Sequence, residues 1–259
     1  MTMKIALSVG AMLLIGATAT KFNNQPLEST ETSGDNGNKP FAVVELFTSE
    51  SCSSCPPADK FAGELAEKYK DQNVYVLAFH VDYWNHLNWK DRFSKREFTE
   101  RQQDYGRAMR LRTIYTPQMI VNGKTEFVGS QRSKATSAIA DALQSEKGAP
   151  LELELSSNPL SRVWQVDYKT RYGLQNAVVN VAVVENDLVR KIGSGENRGL
   201  TLHLDAVVRS FAAVNLKKQN SGTVRLEVPD DLKRENSQII AFVQDRKTLE
   251  ILGAAKLGL

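Results

Sequence analysis

The chain is 259 residues long, 41% apolar and 24% charged, with a net charge of +3 at neutral pH. Disorder over the whole length is excluded, because it goes with low apolar content, and a charge this close to balance excludes dominant electrostatic binding to nucleic acid. Two cysteines and three scattered histidines exclude both a disulfide-stapled miniature scaffold and a Cys-rich structural zinc site.

Residues 1–19 read as a secretory signal peptide. Met1 to Lys4 give a basic start, Ile5 to Ala17 an apolar or small stretch, and Ala17-Thr18-Ala19 a small-x-small cleavage pattern. The stretch falls short of the roughly 20 apolar residues of a membrane span, so no stable membrane insertion is expected after cleavage. The expected location is secreted or periplasmic, where paired thiols keep a disulfide. Residues 20–40, rich in Asn, Ser, Thr, Gly and Glu, read as a flexible leader.

Residues 41–148 read as an α/β domain. Phe41 to Phe47 is a buried strand, apolar except for Glu45. A turn over Thr48 to Pro57 carries both cysteines, as Cys52-Ser53-Ser54-Cys55. A Cys-x-x-Cys between a strand and a helix in a βαβ setting is a redox signature. The helix dipole and free N–H groups there can stabilise a thiolate. In such a pair the first cysteine is the exposed nucleophile and the second resolves the mixed disulfide. Ala58 to Lys70 follows as a helix, with Phe61, Leu65 and Tyr69 on one face. Val74 to Val81 is a second strand, ending beside His80. Asp82 to Phe93 is dense in Trp, Tyr, Asn and His, and Tyr83 and Trp84 are candidates to line a groove for an unfolded peptide. The competing reading of this stretch is a packed lid or an interface.

Lys95 to Leu111 reads as a charged helix, with Arg101, Asp104 and Arg107 on a solvated face. Thr116-Pro117 precedes the third strand. An X-Pro bond there can be cis, and opposite the cysteines Thr116 and Pro117 would offer backbone to a docked peptide. Gln118 to Val121 and Lys124 to Val128 are strands joined by Asn122-Gly123, a strong hairpin signal. Lys134 to Gln144 is the last helix. The first half carries the rhythm of a parallel sheet with an antiparallel edge.

Gly148-Ala149-Pro150 breaks the chain, and residues 149–259 change texture. Leu151 to Leu155 and Trp164 to Tyr168 alternate apolar with polar. Strand-like runs continue at 179–184, 201–208, 224–228, 238–243 and 249–254, with His203 pointing outward. Short strands with turns between them suggest an all-β sandwich.

Glu45 to Asp59, His80 to Trp84, Trp89 to Asp91, Arg101-Gln102 and Tyr115 to Met119 together resemble the exported bacterial thioredoxin-like family catalogued as domain of unknown function 1223. Gly195 to Gly199 and Val207 to Arg209 extend the resemblance into the second half. It implies a thioredoxin-like N-terminal domain and a thiol–disulfide role: Cys52 attacking, Cys55 resolving, Pro117 shaping the docking site. Related proteins often keep a buried acid where Glu45 stands, which would relay protons to the resolving thiol; the alternative is a strand-end acid paired with an Arg or Lys. No organic cofactor is needed, because the disulfide carries the electrons. The expected partner is a protein or small thiol bearing a thiol or a disulfide.

Two departures stand out. Ser51, not an aromatic residue, precedes Cys52, and Pro56-Pro57 follows Cys55, which places the helix start near Ser54 or kinks it. Two other functions compete. One is a non-catalytic binding module with a structural disulfide. The other is Cu(I) binding by Cys52, Cys55 and His80, since copper-delivery proteins of the same superfamily use two cysteines and a distal histidine and Cu(I) is a soft ion.

Overall fold

In a computed structural model the described residues are 39–145, 148–155, 161–170, 174, 176–216 and 220–259. The signal-peptide reading, and nearly all of the leader, lie outside them. Among the described residues no helix is long and apolar enough to cross a membrane.

The first half forms in the expected order. Strands β1 (Ala42–Thr48) and β2 (Val74–His80) are buried at every position and pair in parallel, Thr48 opposite His80. Continuous burial explains their unbroken apolar sequence. Helix α1 (Pro56–Lys68) joins them, and α2 (Arg96–Ala108) follows β2. β3 (Gln118–Val121) pairs antiparallel with β1, and β4 (Thr125–Val128) with β3. Asn122 and Gly123 take φ of 49° and 68° in the turn, the left-handed backbone expected of that dipeptide. Helix α3 (Arg132–Gln144) ends the half. It lies beside α1, where Arg132 stacks 4.3 Å from the Phe61 ring and pairs with Glu64.

Helix α1 begins at Pro56, between the Ala58 start read from the apolar spacing and the Ser54 start read from the prolines. Cys55 is its N-cap, and Pro56 and Pro57 fill the first helical positions. A missing N–H costs nothing there, and the fixed φ suits the helix, so the prolines start the helix without kinking it.

Among the described residues nine strands follow residue 148: β5 (Leu151–Leu155), β6 (Val163–Thr170), β7 (Ala177–Glu185), β8 (Leu188–Lys191), β9 (Thr201–Leu204), β10 (Val207–Asn215), β11 (Ser221–Glu227), β12 (Ser237–Asp245) and β13 (Ile251–Gly258). The 201–208 run is two strands, broken where Ala206 takes a φ of 57°. β8 was not legible, because Leu188–Lys191 is only half buried and has no apolar alternation.

Four of these strands extend the sheet of the first half, giving one eight-stranded mixed sheet of order β13-β12-β7-β10-β2-β1-β3-β4. The seam is Val207 of β10 beside Ala78 of β2. One core runs through it, with Phe47, Phe79 and Phe98 in the same cluster as Val184, Val208, Ile240 and Phe242. A second layer, β11-β6-β5, covers a core of its own in which Trp164, Val166 and Leu226 meet Val181, Ile239 and Leu257. The hairpin β8-β9 stands apart from both sheets.

Candidate functional site

Alternation along β1 sends Glu45 and Thr48 to opposite faces of the sheet. The face carrying Thr48 holds the cysteines. Cys52 and Cys55 form a disulfide with Cα atoms 5.4 Å apart. The loop bearing them runs from the end of β1 to the first turn of α1, and Cys52 N–H donates to Ser49 O at 3.1 Å. Thr116 Oγ1 donates to Cys52 Sγ at 3.2 Å, and Trp84 Nε1 donates to Thr116 Oγ1 at 2.7 Å. The Thr116–Pro117 bond is cis. The cysteine loop, Thr116-Pro117 and Trp84 therefore share one place, while Tyr83 lies against Trp84 with its hydroxyl on Gln102.

One expectation fails. Cys52 is 1% exposed and Cys55 0%, and only Ser53 and Ser54 between them face solvent. The loop that carries them is pinned from far along the chain, by the turn between β8 and β9. Asn197 Nδ2 donates to the carbonyls of Glu50 (2.9 Å) and Cys52 (3.0 Å), and Ser53 N–H donates to Glu196. Gly195 has a φ of 78°, and a Cβ there would stand 3.0 Å from the carbonyl oxygen of Leu87. Only glycine takes that backbone and that approach without strain. The turn thus clamps the cysteine loop and the loop after β2 together.

Beneath the disulfide lies a group of buried ionisable side chains. Asp59, one helical turn after Cys55, accepts from Thr48 Oγ1 at 2.6 Å. His80 Nδ1 and Asp91 Oδ2 are 2.6 Å apart, and Asp91 also accepts from the backbone N–H of Glu50 and of Phe93. Glu50 is held by Arg190 Nε at 2.7 Å and Trp89 Nε1 at 2.8 Å. Burial pushes the Asp59 carboxyl up to about 6 against the opposing pull of His80. Burial opposes the charged form of His80, yet Asp91, Asp59 and Glu50 together raise its pKa above the ordinary value. Asp91 lies below the carboxylate range: burial works against its charge, and His80 and the two backbone donors overcome it. Asp59, Asp91, Glu50 and Asn197 were missed as site residues. The signal for Asp59 was its place one turn after Cys55. Asp91 and Asn197 sat in motifs that gave no hint of their partners.

Glu45 belongs to the other face. Arg101 grips both its oxygens, at 2.6 and 3.0 Å, and Tyr105 donates to one of them. This is the ion-pair arrangement, on the α2 side of the sheet. Arg101 is not on a solvated face, as its neighbours Asp104 and Arg107 are. Its guanidinium stands 5.2 to 5.5 Å from the rings of Phe79, Tyr105, Phe211 and Phe242. His203 faces outward on β9.

Among the described residues no cluster of three or more His, Cys, Asp or Glu side chains is arranged to hold a metal ion. In this form the cysteines are bonded to each other.

The profile described as a protein of unknown function, DUF1223, matches residues 43–244. A crystal structure of an Agrobacterium tumefaciens protein is similar over 83% of this chain and 93% of its own, with 28% identity and a TM-score of 0.60. A domain of the outer membrane lipoprotein Omp28 from Porphyromonas gingivalis covers 43% of this chain and 88% of its own, at 17% identity and a TM-score of 0.25. No curated protein matches.

Proposed function

Because the chain belongs to the DUF1223 family, which brings no activity with it, we propose from the site's own chemistry that it is an exported thiol–disulfide oxidoreductase. The observation that carries this is a disulfide spanning only three residues at a strand–helix junction. Closing so small a loop stabilises a fold by about 2 kcal/mol on the chain-entropy account, against about 4.7 for a 100-residue loop. A stapling role would use distant cysteines. The order β2-β1-β3-β4 with three helices supports a thioredoxin-like reading of residues 41–148. The β5-β6-β11 layer over β7, β12 and β13 supports a sandwich-like reading of the remainder.

In this reading a partner thiolate attacks Cys52 and Cys55 leaves, so that a partner dithiol is oxidised as the protein's disulfide is reduced; the reverse sequence reduces a partner disulfide. Thr116, Pro117, Tyr83 and Trp84 form the side on which a protein or small-thiol partner docks. The groups against Cys52 Sγ are the side chains of Ser54 and Thr116, so docking begins by displacing them.

The test is a trap. Cys55→Ser leaves Cys52 unable to be resolved and should accumulate mixed disulfides that Cys52→Ser does not. An empty trap, with a native disulfide that resists mild dithiol, favours the second reading: a binding module whose disulfide is structural. The observation on that side is the burial of both sulfurs.

A further inference from the structure

Opening the disulfide creates a charge in a place that cannot hold one cheaply. Cys55 is wholly buried, and a thiolate leaving there needs a proton or a positive neighbour. The network supplies a route. Asp59 lies on the same face of α1 as Cys55, one turn on, with its N–H bonded to the Cys55 carbonyl at 3.0 Å. Thr48 joins Asp59 to β1, and His80 is the register partner of Thr48 on β2. Asp91 fixes the imidazole by Nδ1, while Nε2 is buried with no hydrogen-bond partner among the described residues. A buried polar nitrogen left unpaired calls for an explanation. The remaining carboxylate, Glu50, is taken up by Arg190 and Trp89.

We propose that Asp59 and His80, with Asp91 positioning the imidazole, form the proton store of the disulfide: they protonate Cys55 as the bond opens and recover the proton as it closes. This rests on the redox reading above. The step balances. A thiolate donates its electron pair to Cys52 Sγ, a new S–S bond forms, the Cys52–Cys55 bond breaks, and its electron pair leaves on Cys55 Sγ. That sulfur takes one proton from the Asp59–His80 pair. The thiolate is oxidised to half of a mixed disulfide and Cys55 is reduced to a thiol. The charges facing His80 are Asp91 and Glu50 from the loops, Asp59 from α1, and three arginines beyond the Phe93 ring. That ring lies 5.5 Å from the imidazole, with Arg209 at 5.1 Å, Arg92 at 5.4 Å and Arg190 at 5.9 Å from its centre.

The experiment follows reduction of the oxidised full chain by dithiothreitol across pH, with the rate expressed per thiolate. A buried acid makes this rate fall by about tenfold or more as pH rises from roughly 5.5 to 8.5. His80→Gln should flatten the profile, and Asp91→Asn should move the fall to lower pH. A flat wild-type profile, or His80→Gln coinciding with wild type, overturns the proposal. If neither variant folds, the ¹⁵N titration of the His80 imidazole in the wild type decides: midpoints that differ between oxidised and reduced chains support the store, and coincident midpoints overturn it. A native disulfide that dithiothreitol opens at no pH overturns the redox reading as well. One that opens without a titration removes the proton store alone.

Discussion

Arg101 and Glu45 are a buried ion pair ringed by aromatics, and a buried charge left without its partner is expensive. Removing one member typically costs 3–5 kcal/mol (about tenfold more than a surface pair). Arg101→Ala should therefore lower the urea midpoint sharply, while Arg107→Ala, whose partner Asp104 is exposed like itself, should leave it nearly unchanged. On the other face the sign of the pH dependence follows from proton counting. Asp59 has its folded pKa raised to about 6 from 3.8, so above that ordinary value the native state holds a proton the unfolded chain has lost. His80, also raised, adds stability that is full below 6.5 and is lost as pH climbs through its folded pKa. Stability therefore falls with rising pH, between about 4 and 6 through Asp59 and above 6.5 through His80. Asp91, shifted down, acts the other way, its contribution lost only as pH drops below 3.8. Asp59→Asn should remove the part of the fall between pH 4 and 6, measured as a flatter urea midpoint there. An unchanged slope would mean that Asp59 is not the group titrating. The sequence singled out Cys52, Cys55, Thr116 and Pro117, which the structure sets together, because their motifs are short and local. It hid the pairing of Glu45 with Arg101, because a helix face rich in charge reads as solvated until a facing strand supplies a carboxylate.

At the scale of elements, the first half was readable because β1 and β2 are unbroken apolar runs and α1 and α3 bury apolar residues at helical spacing. The hairpin β8-β9 was read only in its second strand: Leu188, Leu202 and Leu204 pack with Phe93 and Trp89, while its turn meets the cysteine loop through polar contacts. Those contacts are testable. Asn197→Ala strips hydrogen bonds from the carbonyls of Glu50 and Cys52. The Cys52 carbonyl keeps the Cys55 N–H at 3.1 Å, so one buried acceptor is left unpaired, which should cost about 1–3 kcal/mol. The same variant should speed disulfide reduction by loosening the loop, as read by alkylation of the freed thiols. A destabilised chain with an unchanged reduction rate would separate the clamp from access to sulfur.

Across the whole molecule, the break at Gly148-Ala149-Pro150 was readable and its consequence was not. Composition changes there, but the sheet does not stop: β10 joins β2, and the Ile251 N–H donates to the carbonyl of Asn122 in the β3-β4 turn at 3.0 Å. Non-local strand pairing leaves no local trace in the chain. Thermal unfolding should accordingly be a single transition, and residues 39–148 expressed alone should expose the β2 edge and aggregate. Two resolved transitions would mean that the halves hold together independently.

The Asn197 contacts also order events in time. A polypeptide is made from its N-terminus, so the two thiols emerge well over a hundred residues before the asparagine that later fastens their loop. In that interval the loop is unfastened; once the hairpin is complete, a partner reaches the bond by pushing aside the side chains that lie against it.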